Sequence, residues 1–547
     1  MTTPANPVHR RLTLITALIV AGAAALAYHN TFSVPFIFDD KSSIAENPSI
    51  QHLLTAWSPP KGGGHTVSGR PFLNFTLALN YAVNGTQVWG YHLLNLLIHA
   101  AAGCALFGIV RRTLAKPMLA PRFGRDATWL ALAVALLWTL HPMQTQAVTY
   151  IVQRAESLVS LMYLLTLWCF IRAEEPLLNT QRSLARYGWL AAGWVSCALG
   201  MASKEVMVSA PIVVVLYDRV FLAGSWREVW QRRGGFHLAM AATWVLLAWL
   251  VWGTAGRGGT AGLGTAMSPW GYGLTQIGAI VHYMRLALWP QPLVFDYGKS
   301  LVAGFGAVWW QTILLVPLAV GSLWAAWRGR PFGWLGVFFF TVLAPSSSFV
   351  PVVTQTMSEH RFYLALAAVV VLVVLGLYTL AGRKSLAIFP VIAVALGAAT
   401  VRRNHDYRTE LAIWEDTVVK RPENIRALAA LGAIHQAAGR LEEARTLLQE
   451  AVRLDPESVE AQNNLGNAWM KAGNWTEAEQ CFRRALALKP DEPYARNNLG
   501  NALLQLGHPA EAITEFEAAL RAKPDFPEPR FNLANTLAQA GRLPEAL

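Results

Sequence analysis

"VEAQNNLGNAWMKAGNWTEAEQCFRRALALKP", residues 459–490, decides the fold of the C-terminal part of the chain. Its Leu465-Gly466 pair recurs at 431–432 and 499–500, with Leu-Ala at 533–534. Gly473 has counterparts at 439, 507 and 541, Ala478 at 444, 512 and 546, and Pro490 at 422, 456 and 524. Four independent columns share a period of 34 residues. A period of that length marks stacked two-helix units, with small residues where helices cross and Pro closing the second helix.

This pattern is that of the tetratricopeptide repeat, an α-solenoid. Residues 407–547 divide into a degenerate half unit (407–422), three full units (423–524) and a partial unit (525–547). The last unit breaks off at "LPEAL" without a polar capping helix, so the chain end is expected either to be truncated or to dock on something. The concave groove of such an array takes extended peptides or partner helices. Asn464, Asn467, Asn498 and Asn501 fall on first helices, where amides can bond a peptide backbone without reading its side chains.

Upstream the composition changes. Residues 1–406 hold 29 Lys+Arg, 13 Asp+Glu and 19 of the 22 Trp, whereas 407–547 hold 16 Lys+Arg and 20 Asp+Glu. The basic residues cluster in short loops between apolar runs, which argues for a membrane protein and against nucleic acid as partner. A bilayer core needs roughly 20 apolar residues per helix. Eleven spans are expected, near 11–28, 90–110, 127–141, 156–172, 187–203, 205–221, 236–253, 306–327, 332–346, 361–382 and 385–401, with 274–290 as a short twelfth stretch that would change the count. The first span also carries signal-peptide features, with Arg10, Arg11 and "ALA" at 25–27. With eleven spans the positive-inside rule puts the N-terminus in the cytoplasm and the repeats outside. The fold class is therefore all-α: a polytopic helical domain over 1–406, then the repeat domain. The four Cys lack metal-ligand spacing and read as small buried hydrophobes.

On this topology the outer side gathers Asp39, Asp40, Glu46, Glu156, Glu205, Asp296, Glu359 and Asp406, mostly at helix ends. Bases accompany them in "DDK" (39–41), "QRAES" (153–157), "SKE" (203–205) and "SEHRFY" (358–363). Acids at helix ends avoid the cost of mid-bilayer charge and point to a water-accessible site. Arg154, Lys204 and Arg361 could clamp a phosphate, or could be charge-paired helix ends whose stems snorkel.

"FIFDDKSSIAENPSI" (36–50), "RPFLNFTLALNYAVNGTQVWGYHLLNLLIHA" (70–100), "HPMQTQAVTYIVQRAESL" (141–158), "SKE", "DYG" (296–298) and "EHRFYL" (359–364), ahead of the repeats, resemble the transmembrane and tetratricopeptide-repeat-containing O-mannosyltransferase family. Its membrane half is similar to the fold-C glycosyltransferases. The resemblance implies transfer of mannose or a similar hexose from a polyprenyl-phosphate carrier to a protein Ser or Thr on the extracytoplasmic face. It implies Asp39 as the catalytic base with Asp40 as second choice, and Arg154, Lys204 and Arg361 on the donor phosphate. Tyr363, His141, Glu156, Glu205, Asp296 and Glu359 are further site candidates. No cofactor is firmly implied; two neighbouring acids could raise one pKa or hold a divalent cation. "QRAES" and "SEHRFY" differ from the eukaryotic forms, which leaves the sugar open. The compact basic loops suit a bacterial inner membrane. The competing readings are a membrane-anchored interaction scaffold without catalysis and a flippase or transporter with a binding module.

Overall fold

The computed structural model describes residues 7–61, 65–175, 182–254, 267–299, 301–352 and 355–546. It is all-α and divides into two compact units, one of residues 1–295 and 299–410, the other of 296–298 and 411–547.

In the first unit the long helices are α1 (Pro7–Ala27), α2 (Pro71–Asn84), α3 (Val88–Leu114), α4 (Ala127–Thr139), α5 (Arg154–Ala173), α6 (Arg182–Met201), α7 (Ala210–Phe221), α8 (Trp226–Trp252), α9 (Pro269–Leu288), α10 (Trp309–Trp327), α11 (Pro331–Leu343), α12 (Leu366–Ala381) and α13 (Ile388–Asp406). All eleven expected spans, and the stretch 274–290, are helical over most of their length. Among the described residues five stretches suffice, by length and composition, to cross a bilayer: 88–114, 151–173, 226–252, 309–327 and 366–406. A sixth counts if the helices over 120–139 and 142–148, bent by 52°, form one span. Helices as short as α7 and α11 rise only about 20 Å at ~1.5 Å per residue, less than the ~30 Å hydrocarbon core.

This unit has a buried apolar core, and apolar residues cover much of its surface as well. On α10, Trp309, Ile313, Val316, Val320, Trp324 and Trp327 are all exposed. Asp40, Asn74, Asn95, His99, Arg154 and Glu156 are buried. An apolar exterior with Trp at the helix ends, around a core that also holds buried polar and charged groups, fits lipid as the surrounding solvent.

The second unit shows why its sequence columns exist. First and second helices alternate as Ile425–Ala437 and Leu441–Leu454, Val459–Lys471 and Trp475–Leu488, Pro493–Gln505 and Pro509–Ala522, with Pro527–Gln539 opening the next repeat. A Cβ on Gly466 would lie 2.5 Å from the Phe482 ring, so only Gly lets the paired helices close. Gly473 does a different job: its φ of +80° is the left-handed conformation that ends the first helix. We predict that Gly466→Ala destabilises the array by about 1–3 kcal/mol through overpacking. The expected readout is faster proteolysis of the repeats in urea, with partial recovery in Gly466→Ala/Phe482→Leu; undiminished resistance would contradict the packing assignment.

Candidate functional site

The loop after α1 turns sharply at Phe38, whose φ of 46° is left-handed. A bulky residue held there stores on the order of 1–3 kcal/mol of strain, which surrounding structure must over-determine. Asp40 supplies much of that restraint. Fully buried, its carboxylate accepts the Ile37 N–H at 3.1 Å and the Val152 N–H at 2.7 Å, stapling the loop to the turn before α5. Burial pushes Asp40 up to about 8, against the opposing pull of these backbone N–H groups and with a smaller upward contribution from Asp39.

Asp39 is only half-buried, and its N–H donates to the Tyr150 hydroxyl at 3.0 Å. Lys41 of the same "DDK" reaches Glu410 at 2.6 Å. The two acids that sequence treats alike therefore have different environments. Asp40 is buried and braces the loop, whereas Asp39 is half-buried against the Tyr150 hydroxyl.

The site cations also separate. Arg154 is fully buried and donates to Asn95 Oδ1 at 2.5 Å, the Thr76 carbonyl at 3.0 Å and the Tyr91 carbonyl at 3.1 Å. It pins α5 to α2 and α3. Lys204 lies against Glu156 at 2.7 Å, both buried. Arg361 donates to Tyr272 Oη at 3.0 Å and to the carbonyls of Ser346 at 3.1 Å, Thr356 at 3.2 Å and Gln355 at 2.5 Å. α9 presents Tyr272, and its Gln276 and Tyr283 hold Thr356 and Ser358, so the helix over 274–290 cradles the loop that carries Arg361.

Sequence reasoning missed two members of this group. Arg70, just before α2, is buried and reaches Glu205 at 3.4 Å, while its Nε has no hydrogen-bond partner. Burial pulls it down to about 10, with Glu156 opposing, so it stays cationic at neutral pH. His360 is held far below the usual imidazole range, first by burial and then by the charges of Lys204, Arg361 and Arg70. Its Nδ1 also lacks a partner. The cationic group is thus Arg70, Lys204 and Arg361 around a neutral His360, with Glu156 and Glu205 as counter-charges. The signal was present in "RPFLNF" and "SEHRFY", but neither stretch says which base turns toward the others.

The remaining candidates are placed elsewhere. Both ring nitrogens of His141 are engaged, one near the Ala287 carbonyl at 3.1 Å and one accepting the Met143 N–H at 3.3 Å. Tyr363 packs in the core, its hydroxyl 2.6 Å from His99 Nδ1. Glu359 accepts the Val294 N–H at 2.6 Å. Asp296 groups with the second unit, where Arg426 Nη1 at 2.7 Å and Asn424 Nδ2 at 3.1 Å bond its carboxylate. Among the described residues no three His, Cys, Asp or Glu gather as a metal-ligand set. In the repeats, some Asn amides bond one another: Asn498 to Asn463 at 3.0 Å, and Asn532 to Asn497 at 3.0 Å and Asn501 at 3.1 Å. Asn464 and Asn467 are half-buried on the same helix.

One short segment joins the acid loop to the cations: Tyr150 and Val152 hold residues 39 and 40, and Glu156, one helical turn on, holds Lys204. An all-helical protein with an apolar exterior, a charged interior site and a solenoid of repeats defines a class of membrane-associated, repeat-bearing proteins. Within it, the tetratricopeptide repeat family matches residues 427–493 and 497–547. Curated relatives of the chain are protein O-mannosyl-transferases. It is 27% identical over 335 residues to Protein O-mannosyl-transferase Tmtc2 of Drosophila melanogaster, covering 57% of this chain and 34% of the relative. It is 34% identical over 217 residues to TMTC2 of Mus musculus (37% and 24%), and 26% identical over 543 residues to Tmtc1 of Drosophila melanogaster (79% and 60%). The matches thus span between 24% and 60% of these relatives' own lengths.

Proposed function

We propose that the chain is an integral-membrane glycosyltransferase. It moves mannose or a similar hexose from a polyprenyl-phosphate carrier to a protein Ser or Thr hydroxyl on the extracytoplasmic face. Asp39 takes the proton of the acceptor hydroxyl, the oxygen attacks the anomeric carbon, and the carbon–phosphate oxygen bond breaks with its electrons leaving on the lipid phosphate. Single displacement inverts the anomeric centre. Arg70, Lys204 and Arg361 stabilise the departing phosphate, where fixed positive charge acts most strongly on charge that develops in the transition state. The N-terminus lies in the cytoplasm and the repeats recruit the acceptor outside, with Asn464 and Asn467 bonding its backbone.

The observation that carries this reading is the division between the two acids: a buried carboxyl that braces the loop beside a half-buried one, tied through residues 150–156 to the cationic group. The reading is tested by intact glycoproteomics of a strain lacking the protein against its parent. Loss of hexose from defined extracytoplasmic Ser/Thr peptides is expected, and an unchanged glycoproteome would refute it.

Asp40 yields a separate expectation. Its folded value of about 8 lies above the ordinary ~3.9 of an Asp. Its contribution to stability is therefore full below about pH 4 and is lost as pH rises to about 8, because the folded loop keeps a proton that the unfolded chain has released. Asp40→Asn removes this pH dependence. It also turns an amide N–H toward a backbone N–H, a loss of about 1–3 kcal/mol. Thermal unfolding in detergent at pH 5 and pH 9 checks both; identical pH slopes in the two proteins would exclude the brace.

A further inference from the structure

At the other end of the bundle lies a cavity of about 1150 Å³, larger than the ~300–1,000 Å³ of drug-sized ligand sites. Its walls are apolar side chains from α3, α5, α11 and α12, among them Leu106, Phe338 and Val371. Its charged lining residues are Arg122, Arg328 and Arg330. Among the described residues these three arginines have no carboxylate partner. Arg112, Arg186, Arg233 and Arg383 differ, being paired with Glu175, Glu174, Asp218 and Asp126. An apolar chamber rimmed by three uncompensated guanidinium groups is complementary to a molecule with a long hydrocarbon body and an anionic head.

We propose that this cavity binds one anionic glycerophospholipid, with its acyl chains among α3, α5, α11 and α12 and its phosphate on Arg122, Arg328 and Arg330. The site is distinct from the one assigned to the sugar carrier. Helix α3 runs from Tyr91, which bonds Arg154, to Leu114 in the cavity wall, about 35 Å at ~1.5 Å per residue. The proposal therefore stands or falls independently of the transferase reading.

The test uses the full chain, exchanged in mixed micelles of equal phosphatidylglycerol and phosphatidylcholine, re-purified, and assayed for retained lipid by mass spectrometry. Each arginine near an anionic head favours it by about fivefold, so the wild type should retain phosphatidylglycerol over phosphatidylcholine by at least that factor. Arg122→Gln/Arg328→Gln/Arg330→Gln should erase the preference. Gly376→Phe should remove the retained lipid whatever its head, because a Cβ at this wall position meets nothing within 4 Å and the ring projects into the chamber. Equal retention of the two lipids by the wild type overturns the proposal. So does retention of phosphatidylglycerol by Gly376→Phe at the wild-type level, which would mean surface attraction alone. A polyprenyl phosphate as the tightly retained lipid overturns it as well.

Discussion

Asp39→Asn is expected to lower glycan transfer by about 10²–10⁴-fold while leaving expression and thermal stability near wild type. The carboxylate is half-buried beside the Tyr150 hydroxyl, which accepts the Asp39 backbone N–H at 3.0 Å and also hydrogen-bonds the side chain, contacts that an isosteric amide largely keeps. Asn keeps the shape and removes the proton acceptor. Asp40→Asn should show the reverse pattern, with a clear loss of stability and activity that falls only as far as the loop loosens. Transfer by purified protein to a Ser/Thr peptide, with unfolding measured on the same preparations, separates the two. If Asp39→Asn transfers normally, the base assignment fails. If neither substitution affects transfer but deletion of the repeats removes binding partners, the chain is a scaffold.

Lys204→Met is expected to destabilise the protein by up to about 3–5 kcal/mol, because it takes the ion-pair partner from buried Glu156 and leaves only the charge of Arg70 to offset it. That loss alone would not distinguish a structural lysine from a phosphate ligand. Lys204→Met/Glu156→Gln does, since replacing both charges of a buried pair is often close to neutral for stability. The double variant should therefore recover its unfolding temperature yet remain deficient in transfer. Recovery of both would make Lys204 a structural partner only, and the cationic group would reduce to Arg70 and Arg361.

Much of this was legible in the sequence, and the exceptions have physical reasons. The 34-residue columns set out the solenoid because each column answers one steric demand, as Gly466 against Phe482 and Gly473 at its turn illustrate. The acid pair was conspicuous, but its division of labour depends on burial, which two adjacent identical residues cannot reveal. Arg154, Lys204 and Arg361 looked equivalent as bases beside acids. Arg154 and Arg361 both prove to be bonded to neutral acceptors, largely backbone carbonyls, and only Arg361 adds its charge to His360; no linear pattern shows which donors main-chain oxygens will take. Arg70 and His360 were hidden for the converse reason, since their significance arises only when loops 290 residues apart in sequence fold against each other. Span counting was weakest, because several helices of this unit are shorter than a bilayer core is thick.

The staple between Asp40 and Val152 also sets a schedule for biogenesis. During synthesis the acid loop leaves the ribosome more than a hundred residues before its anchor does. Until residues 150–156 are inserted, the bonds from Tyr150 and Val152 to residues 39 and 40 cannot form, and until Arg361 follows, the cationic group is incomplete. On the proposed reading, a nascent chain released early would display the acids without the cationic group, so the order of synthesis would itself delay transfer.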